Sequence, residues 1–247
     1  MTKRTLIQNT RKWHRYLGLL LGIQFLLWTI GGLYFSWTNI DEIRGDNLKN
    51  ETKELPDNAN FISPSAFLPK LLKDSGSLRS LKLTTVLDEP YYEVVYLSNN
   101  NKKVTLIHAS KGTQRSILTQ KEAVLLASEK LNVKADVTAI EFLTETGHHH
   151  EYRGRPLPAY AVTFNAPAST TIYVSESYAN VQTFRNNKWR IFDFLWMLHT
   201  MDYQERDNFN NWLLRAFSIF GIFTILSGFS LYILTSKKYR SRKISKV

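Results

Sequence analysis

Cysteine is absent from all 247 residues. Its absence excludes disulfides, iron–sulfur clusters and thiolate metal sites, so any extracytoplasmic portion has to be held by its own core. Short catalytic signatures are missing too. There is no His-Glu-x-x-His, no Gly-x-Ser-x-Gly and no Walker loop, which leaves no hydrolase or nucleotide-binding motif to follow. Acid is missing from both ends. Residues 1–15 carry Lys3, Arg4, Arg11, Lys12 and Arg15, and residues 237–247 carry Lys237, Lys238, Arg240, Arg242, Lys243 and Lys246, with no Asp or Glu in either stretch. These basic side chains equal the whole formal net charge of +11, so the chain between them is neutral. A nucleic-acid interface loses its electrostatic support on that account.

Charge of either sign is absent from two runs, Tyr16–Ile40 over 25 positions and Ala216–Ser236 over 21. At about 1.5 Å per residue, each is long enough as a helix to cross a hydrocarbon core of about 30 Å. The basic flanks lie on the outer side of each run. The bias of Lys and Arg toward the cytoplasm therefore predicts that both termini are inside and the middle is extracytoplasmic, periplasmic in a double-membrane bacterium. Tyr34-Phe35-Ser36-Trp37 is a poor small-residue cleavage site, so the first run reads as an uncleaved anchor in the inner membrane. The expected organisation is a cytoplasmic basic tail at 1–15, a span at 16–38, an extracytoplasmic domain at 39–188, an interfacial helix region at 189–210, a second span at 212–235 and a cytoplasmic basic tail at 236–247. The lipid bilayer is the expected partner.

The middle segment reads as helix then strands, twice. Ser63-Pro64-Ser65 precedes an apolar helical stretch, Ala66–Leu72. Strand-like runs follow at Leu78–Leu87, Tyr91–Leu97 and Lys103–His108, with a turn at Asn99-Asn100-Asn101. The second pass opens at Thr119, with Glu122 in the capping-box position, ahead of a helix Lys121–Leu131 that turns Val124, Leu125 and Ala127 inward. Strands are expected at Val137–Leu143, Ala159–Asn165, Thr170–Val174 and Val181–Phe184. Tyr92-Glu93-Val94-Val95-Tyr96 matches Tyr160-Ala161-Val162-Thr163-Phe164, and Thr105–His108 matches Thr171–Val174. The fold class is α+β: two tandem α/β-strand units, about 61–115 and 119–185, anchored by two transmembrane helices.

Three motifs carry a family resemblance: Arg11-Lys12-Trp13-His14-Arg15-Tyr16-Leu17-Gly18-Leu19, then Leu157–Val162 with Thr171–Ser175, then Trp196-Met197-Leu198-His199-Thr200-Met201-Asp202 with Leu226-Ser227-Gly228. The chain resembles PepSY-domain proteins with PepSY-associated transmembrane helices. The resemblance implies that the tandem units are PepSY-like. It also implies a link to iron uptake and siderophore reduction, seen in larger members with four or more spans. This chain has two spans and no flavin or nicotinamide domain.

His14 and His199 are the candidate ligands of a b-type haem, since neutral imidazole is a usual axial ligand. Gly18 and Gly22 follow His14 at i+4 and i+8, where small residues let a helix or a flat cofactor approach. His14 and His199 fall at opposite membrane faces, about 30 Å apart, so they cannot share one iron. A homodimer pairing each with its symmetry mate resolves this. A structural role for both, meeting lipid phosphates or a helix end, stands beside the haem reading. His148, His149 and His150, flanked by Glu145 and Glu151, are a candidate set for Zn, Cu or Fe, or a solvated loop. Asp193, Asp202, Glu205, Arg206 and Asp207 read as a solvated juxtamembrane turn. The expected function is an inner-membrane PepSY-type protein supporting periplasmic redox or iron handling, as a haem-bearing homodimer. The alternative is a non-catalytic envelope module that binds or inhibits a peptidase or docks onto a larger reductase or transport complex.

Overall fold

The computed structural model of the protein describes residues 3–51, 55, 60–72 and 76–236. The basic tail beyond Ser236 lies outside these residues. The chain forms two compact units, one taking its described residues from Met1–Thr38 and Ile191–Val247, the other being Asn39–Arg190.

The first unit is built on α1 (Lys3–Trp37) and α6 (Trp212–Thr235), joined by the last ten residues of a further helix, Asn187–Thr200. α1 starts inside the basic segment, so the expected tail continues the span as helix. Its 35 residues extend about 52 Å, well beyond a hydrocarbon core. Leu21, Gln24 and Gly31 are buried, and His14, Leu17, Trp28 and Phe35 are half-buried. These positions recur at three and four residues, which lines them along one helix face. Gly221 and Thr224 form the matching face of α6, with Gly221 beneath the Phe25 ring. The most apolar windows of the two helices are only 17% and 11% buried. A core helix of a soluble protein would be covered, so the uncovered faces require lipid. Hydroxyls are satisfied inside the helices: Thr29, Ser218, Ser230 and Thr235 each donate to the carbonyl four residues earlier, as an anhydrous surround demands.

The second unit opens with α2 (Ile40–Arg44), capped by the Asn39 side chain and closed by Gly45 at φ +72°. A Cβ at Gly45 would lie 2.9 Å from the Phe184 Cβ, so only glycine fits this turn. The expected helix at Ala66–Leu72 is a 3-10 turn, Pro64–Ala66, followed by a single α turn, α3 (Leu68–Leu71). Next come β1 (Ser77–Val86), β2 (Glu89–Ser98) and β3 (Asn101–His108), an antiparallel sheet in that order. Asn99 and Asn100 make the β2–β3 turn with φ +51° and +62°, a conformation asparagine tolerates well.

Then α4 (Gln120–Lys130) leads into β4 (Val137–Leu143), β5 (Ala159–Phe164), β6 (Thr171–Ser175) and β7 (Asn180–Arg185), again antiparallel and in sequence order. Thr119 and Glu122 form the expected capping box. Ala123, Leu126 and Ala127 are the buried positions of α4, whereas Leu125 is 58% exposed, contrary to expectation. The main core packs these against Val162, Phe164, Ile172, Val174 and Phe184 from the second sheet and Val86 and Leu106 from the first. Each fully buried side chain of that size contributes roughly 1.5–3 kcal/mol of transfer energy. The unit is α+β, and of the two matched pairs of sequence segments the first falls on β2 and β5 and the second on β3 and β6.

Candidate functional site

His14 meets α6 at the Leu226-Ser227-Gly228 segment. Its Nδ1 lies 2.8 Å from Ser227 Oγ, and Ser227 Oγ donates its single proton to the Thr224 carbonyl at 2.7 Å. The hydroxyl is therefore the acceptor in the first contact and His14 Nδ1–H the donor. Neutral His14 carries its proton on Nδ1 and leaves the Nε2 lone pair available. Gly228 supports the ring: a Cβ there would fall 3.2 Å from His14 Cε1. Gly18 and Gly22 have nothing within 4 Å of a would-be Cβ. They stay open while His14 faces α6, so they do not form part of the His14 contact.

His199 sits near the end of α5 (Asn187–Thr200), among aromatic rings. Trp196 stacks beside it at 6.2 Å, Trp28 lies at 5.8 Å and Phe35 at 6.0 Å between centroids. The His199 Nδ1 and the Trp28 Nε1 are buried without a hydrogen-bond partner. Gln24 donates to the Leu198 carbonyl at 2.8 Å, fixing the same helix end to α1. His14 is fourteen residues before Trp28 and twenty-one before Phe35, about 21–32 Å along the helix axis. The two imidazoles therefore occupy separate places in the membrane unit.

The turn after His199 is built rather than solvated. Thr200, 1% exposed, places its hydroxyl within hydrogen-bond reach of the Trp196, Met197 and Arg206 carbonyls, to one of which it donates its single proton. Asp202 accepts backbone N–H bonds from Gln204 and Glu205 at 3.2 Å and from Asn208 at 2.9 Å. Burial alone would raise its carboxyl, but these amides outweigh it and hold Asp202 below the usual carboxylate range. Arg206 pairs with buried Asp193, and Asn211 ties the Thr200 carbonyl to the start of α6. The expectation of a solvated charge cluster fails for Asp193 and Asp202, which are 4% and 6% exposed.

His148, His149 and His150 lie in the β4–β5 connection, residues 144–158, which folds over the outer face of the second sheet. His148 and His149 are exposed. His150 Nδ1 accepts the Tyr152 N–H at 3.0 Å, holding a turn. Tyr152 anchors the loop, fully buried and stacked on Tyr173 at 4.7 Å with its hydroxyl on the Pro156 carbonyl. Burial pushes the Tyr152 phenol up to about 12. Glu151 is engaged by Arg190 and by the Tyr173 hydroxyl, which removes it from the donor set expected for a metal. Among the described residues no three His, Asp or Glu side chains gather closely enough to hold an ion.

Sequence reasoning named His14, His199 and the Ser227-Gly228 motif but did not connect His14 with Ser227, 213 residues away. It also missed Glu151, Arg190 and Tyr173 as a group. An uncharged helix bearing one histidine opposite a second bearing Ser-Gly is the signal that could have found the first pair.

Two lipid-facing helices carrying an α+β domain define a bitopic-pair membrane protein. The profile described as the PepSY-associated TM region matches residues 2–235, and the chain belongs to that family. No curated protein and no solved structure matches it.

Proposed function

We propose that this PepSY-type membrane protein is a redox carrier supporting iron handling outside the cytoplasm, with His14 and His199 as haem ligands in a homodimer. In this reading the modules at about 61–115 and 119–185 are tandem PepSY-like units, the domain is periplasmic and both termini are cytoplasmic. The observation that carries the proposal is the Ser227-fixed tautomer of His14. A ligating imidazole needs a free lone pair on one nitrogen and an outer partner on the other, and His14 has this arrangement over a glycine that leaves room beside the ring. His199 adds a buried ring nitrogen with no partner among half-buried aromatics, a costly arrangement unless something absent completes it.

A bound haem would supply one-electron transfer. Ser227 holds the proton on Nδ1, Gly228 gives the ring space, and the aromatic cluster around His199 excludes water. Each copy contributes one ligand of each kind, so His14 pairs with its symmetry mate on one side and His199 with its mate on the other.

The test is a visible spectrum of detergent-purified protein from haem-replete cells, oxidised and then dithionite-reduced. A sharp reduced α-band, diminished in both His14→Ala and His199→Ala, is expected. Folded, haem-supplied protein with a featureless spectrum would refute the proposal.

A further inference from the structure

The β4–β5 connection, β7 and the start of α5 gather several guanidiniums around one carboxylate. Glu151 is occupied by Arg190, which grips it through Nε at 2.8 Å and Nη2 at 3.0 Å. Arg185 lies beside this pair but takes no carboxylate oxygen. Its donors go to the Glu151 backbone carbonyl at 2.9 Å, the Thr183 hydroxyl at 2.6 Å and the Phe184 carbonyl at 3.1 Å. Arg155 reaches the Gln182 carbonyl at 3.1 Å. Trp189 forms the shared wall, with the Arg185 guanidinium 4.0 Å from its ring centroid and that of Arg153 at 5.9 Å.

Burial first, and then the adjacent Arg155 charge, bring Arg185 down to about 10. A half-buried cation beside a second cation is unfavourable unless an anion completes the group. Arg185 keeps its Nη2 donors and Arg155 all but one of its own, and guanidinium N–H groups match the oxygens of a phosphate, which offers more acceptors than the carboxylate already held by Arg190.

We propose that Arg155 and Arg185, against the Trp189 ring, bind a phosphate oxyanion supplied by an anionic phospholipid headgroup or by free phosphate. The site is independent of the histidines and stands whether or not haem is bound.

Delipidated full-length protein in neutral detergent is titrated with inorganic phosphate, and separately with phosphatidylglycerol, at ionic strength fixed with chloride, reading the melting temperature. A rise with phosphatidylglycerol alone identifies the lipid as the source, and a rise with inorganic phosphate shows that the free ion suffices. In either case Arg155→Gln, which gives up a single bond to a backbone carbonyl, lowers the apparent affinity by about tenfold or more. Arg185→Lys, which keeps the charge but loses the Nη2 donors, weakens binding as well. The proposal is overturned if neither ligand raises the melting temperature above the chloride control. It is also overturned if the rise is the same in wild type, Arg155→Gln and Arg185→Lys.

Discussion

Ser227 has one proton to give, and its destination decides what His14 can do. With that proton on the Thr224 carbonyl, the hydroxyl accepts from His14 Nδ1–H. Ser227→Ala leaves the Nδ1–H unpaired between two helices, a loss of about 1–3 kcal/mol, and removes the group that fixes the tautomer. Ligand-shell partners contribute about 10–100-fold to affinity, so under the proposed haem ligation Ser227→Ala should lower haem occupancy or shift the reduced band. Ser227→Thr, which keeps the hydroxyl, should restore both. Gly228→Ala acts through space: its Cβ at 3.2 Å from Cε1 forces the ring aside by a few tenths of an ångström. Haem content and melting temperature measured on the same samples separate the two roles. A purely structural His14 predicts lower melting temperatures with an unchanged spectrum per folded protein. The sequence pointed to both partners as motif residues, yet nothing local could pair them, because the bond depends on how α1 and α6 pack.

The connector between α5 and α6 shows how burial turns polar residues into architecture. Asp202 is ionised against three backbone amides, and its carboxyl is held below its ordinary value. A carboxyl depressed in the folded state contributes stability that is fully present above its unfolded value of about 3.9 and is lost as pH falls through the lower folded value. Asp202→Asn should therefore cost roughly 2 kcal/mol near neutral pH, with the gap to wild type closing below about pH 4. Melting curves of both proteins across that acid range check it, and a gap that stays constant would show that charge is not the cause. Elements with strong local signals were legible from sequence. The strands followed from β-branched and aromatic alternation, the β2–β3 turn from paired asparagines, and the α4 start from Thr119 and Glu122. On α4 the expected inward position Ala127 is buried, whereas Leu125 is exposed and Ala123, which carries little apolar signal, is buried with Leu126 in its place. The 144–158 connection was read through its histidines, while its anchors are Tyr152 and Glu151. Their partners Tyr173 and Arg190 lie 21 and 39 residues away in sequence, beyond any periodicity.

At the scale of the whole molecule, orientation sets which side each imidazole serves. The proposed topology rests on eleven basic residues placed outside the two spans, with no acid among them. Lys and Arg resist transfer across the membrane, so both ends should stay in the cytoplasm. His14, near the first basic cluster, then lies toward the inner face. His199, packed against Trp28 and Phe35 further along α1, lies toward the outer one. The chain offers a clean way to test this, because it contains no cysteine. Ser110 is exposed in the turn after β3, and Gln8 is exposed on α1 within the basic segment. Ser110→Cys is nearly isosteric, and neither side chain packs in a core. In intact cells, or in spheroplasts where an outer membrane blocks access, a membrane-impermeant maleimide should label Ser110→Cys and spare Gln8→Cys, and both should react after lysis. Labelling of Gln8→Cys alone would invert the topology. It would place His199 rather than His14 on the cytoplasmic side and reverse the direction in which the proposed haems could carry electrons. Labelling of both would show that the first span does not hold its N-terminal end inside, and would separate the charge argument from the membrane arrangement that α1 and α6 form.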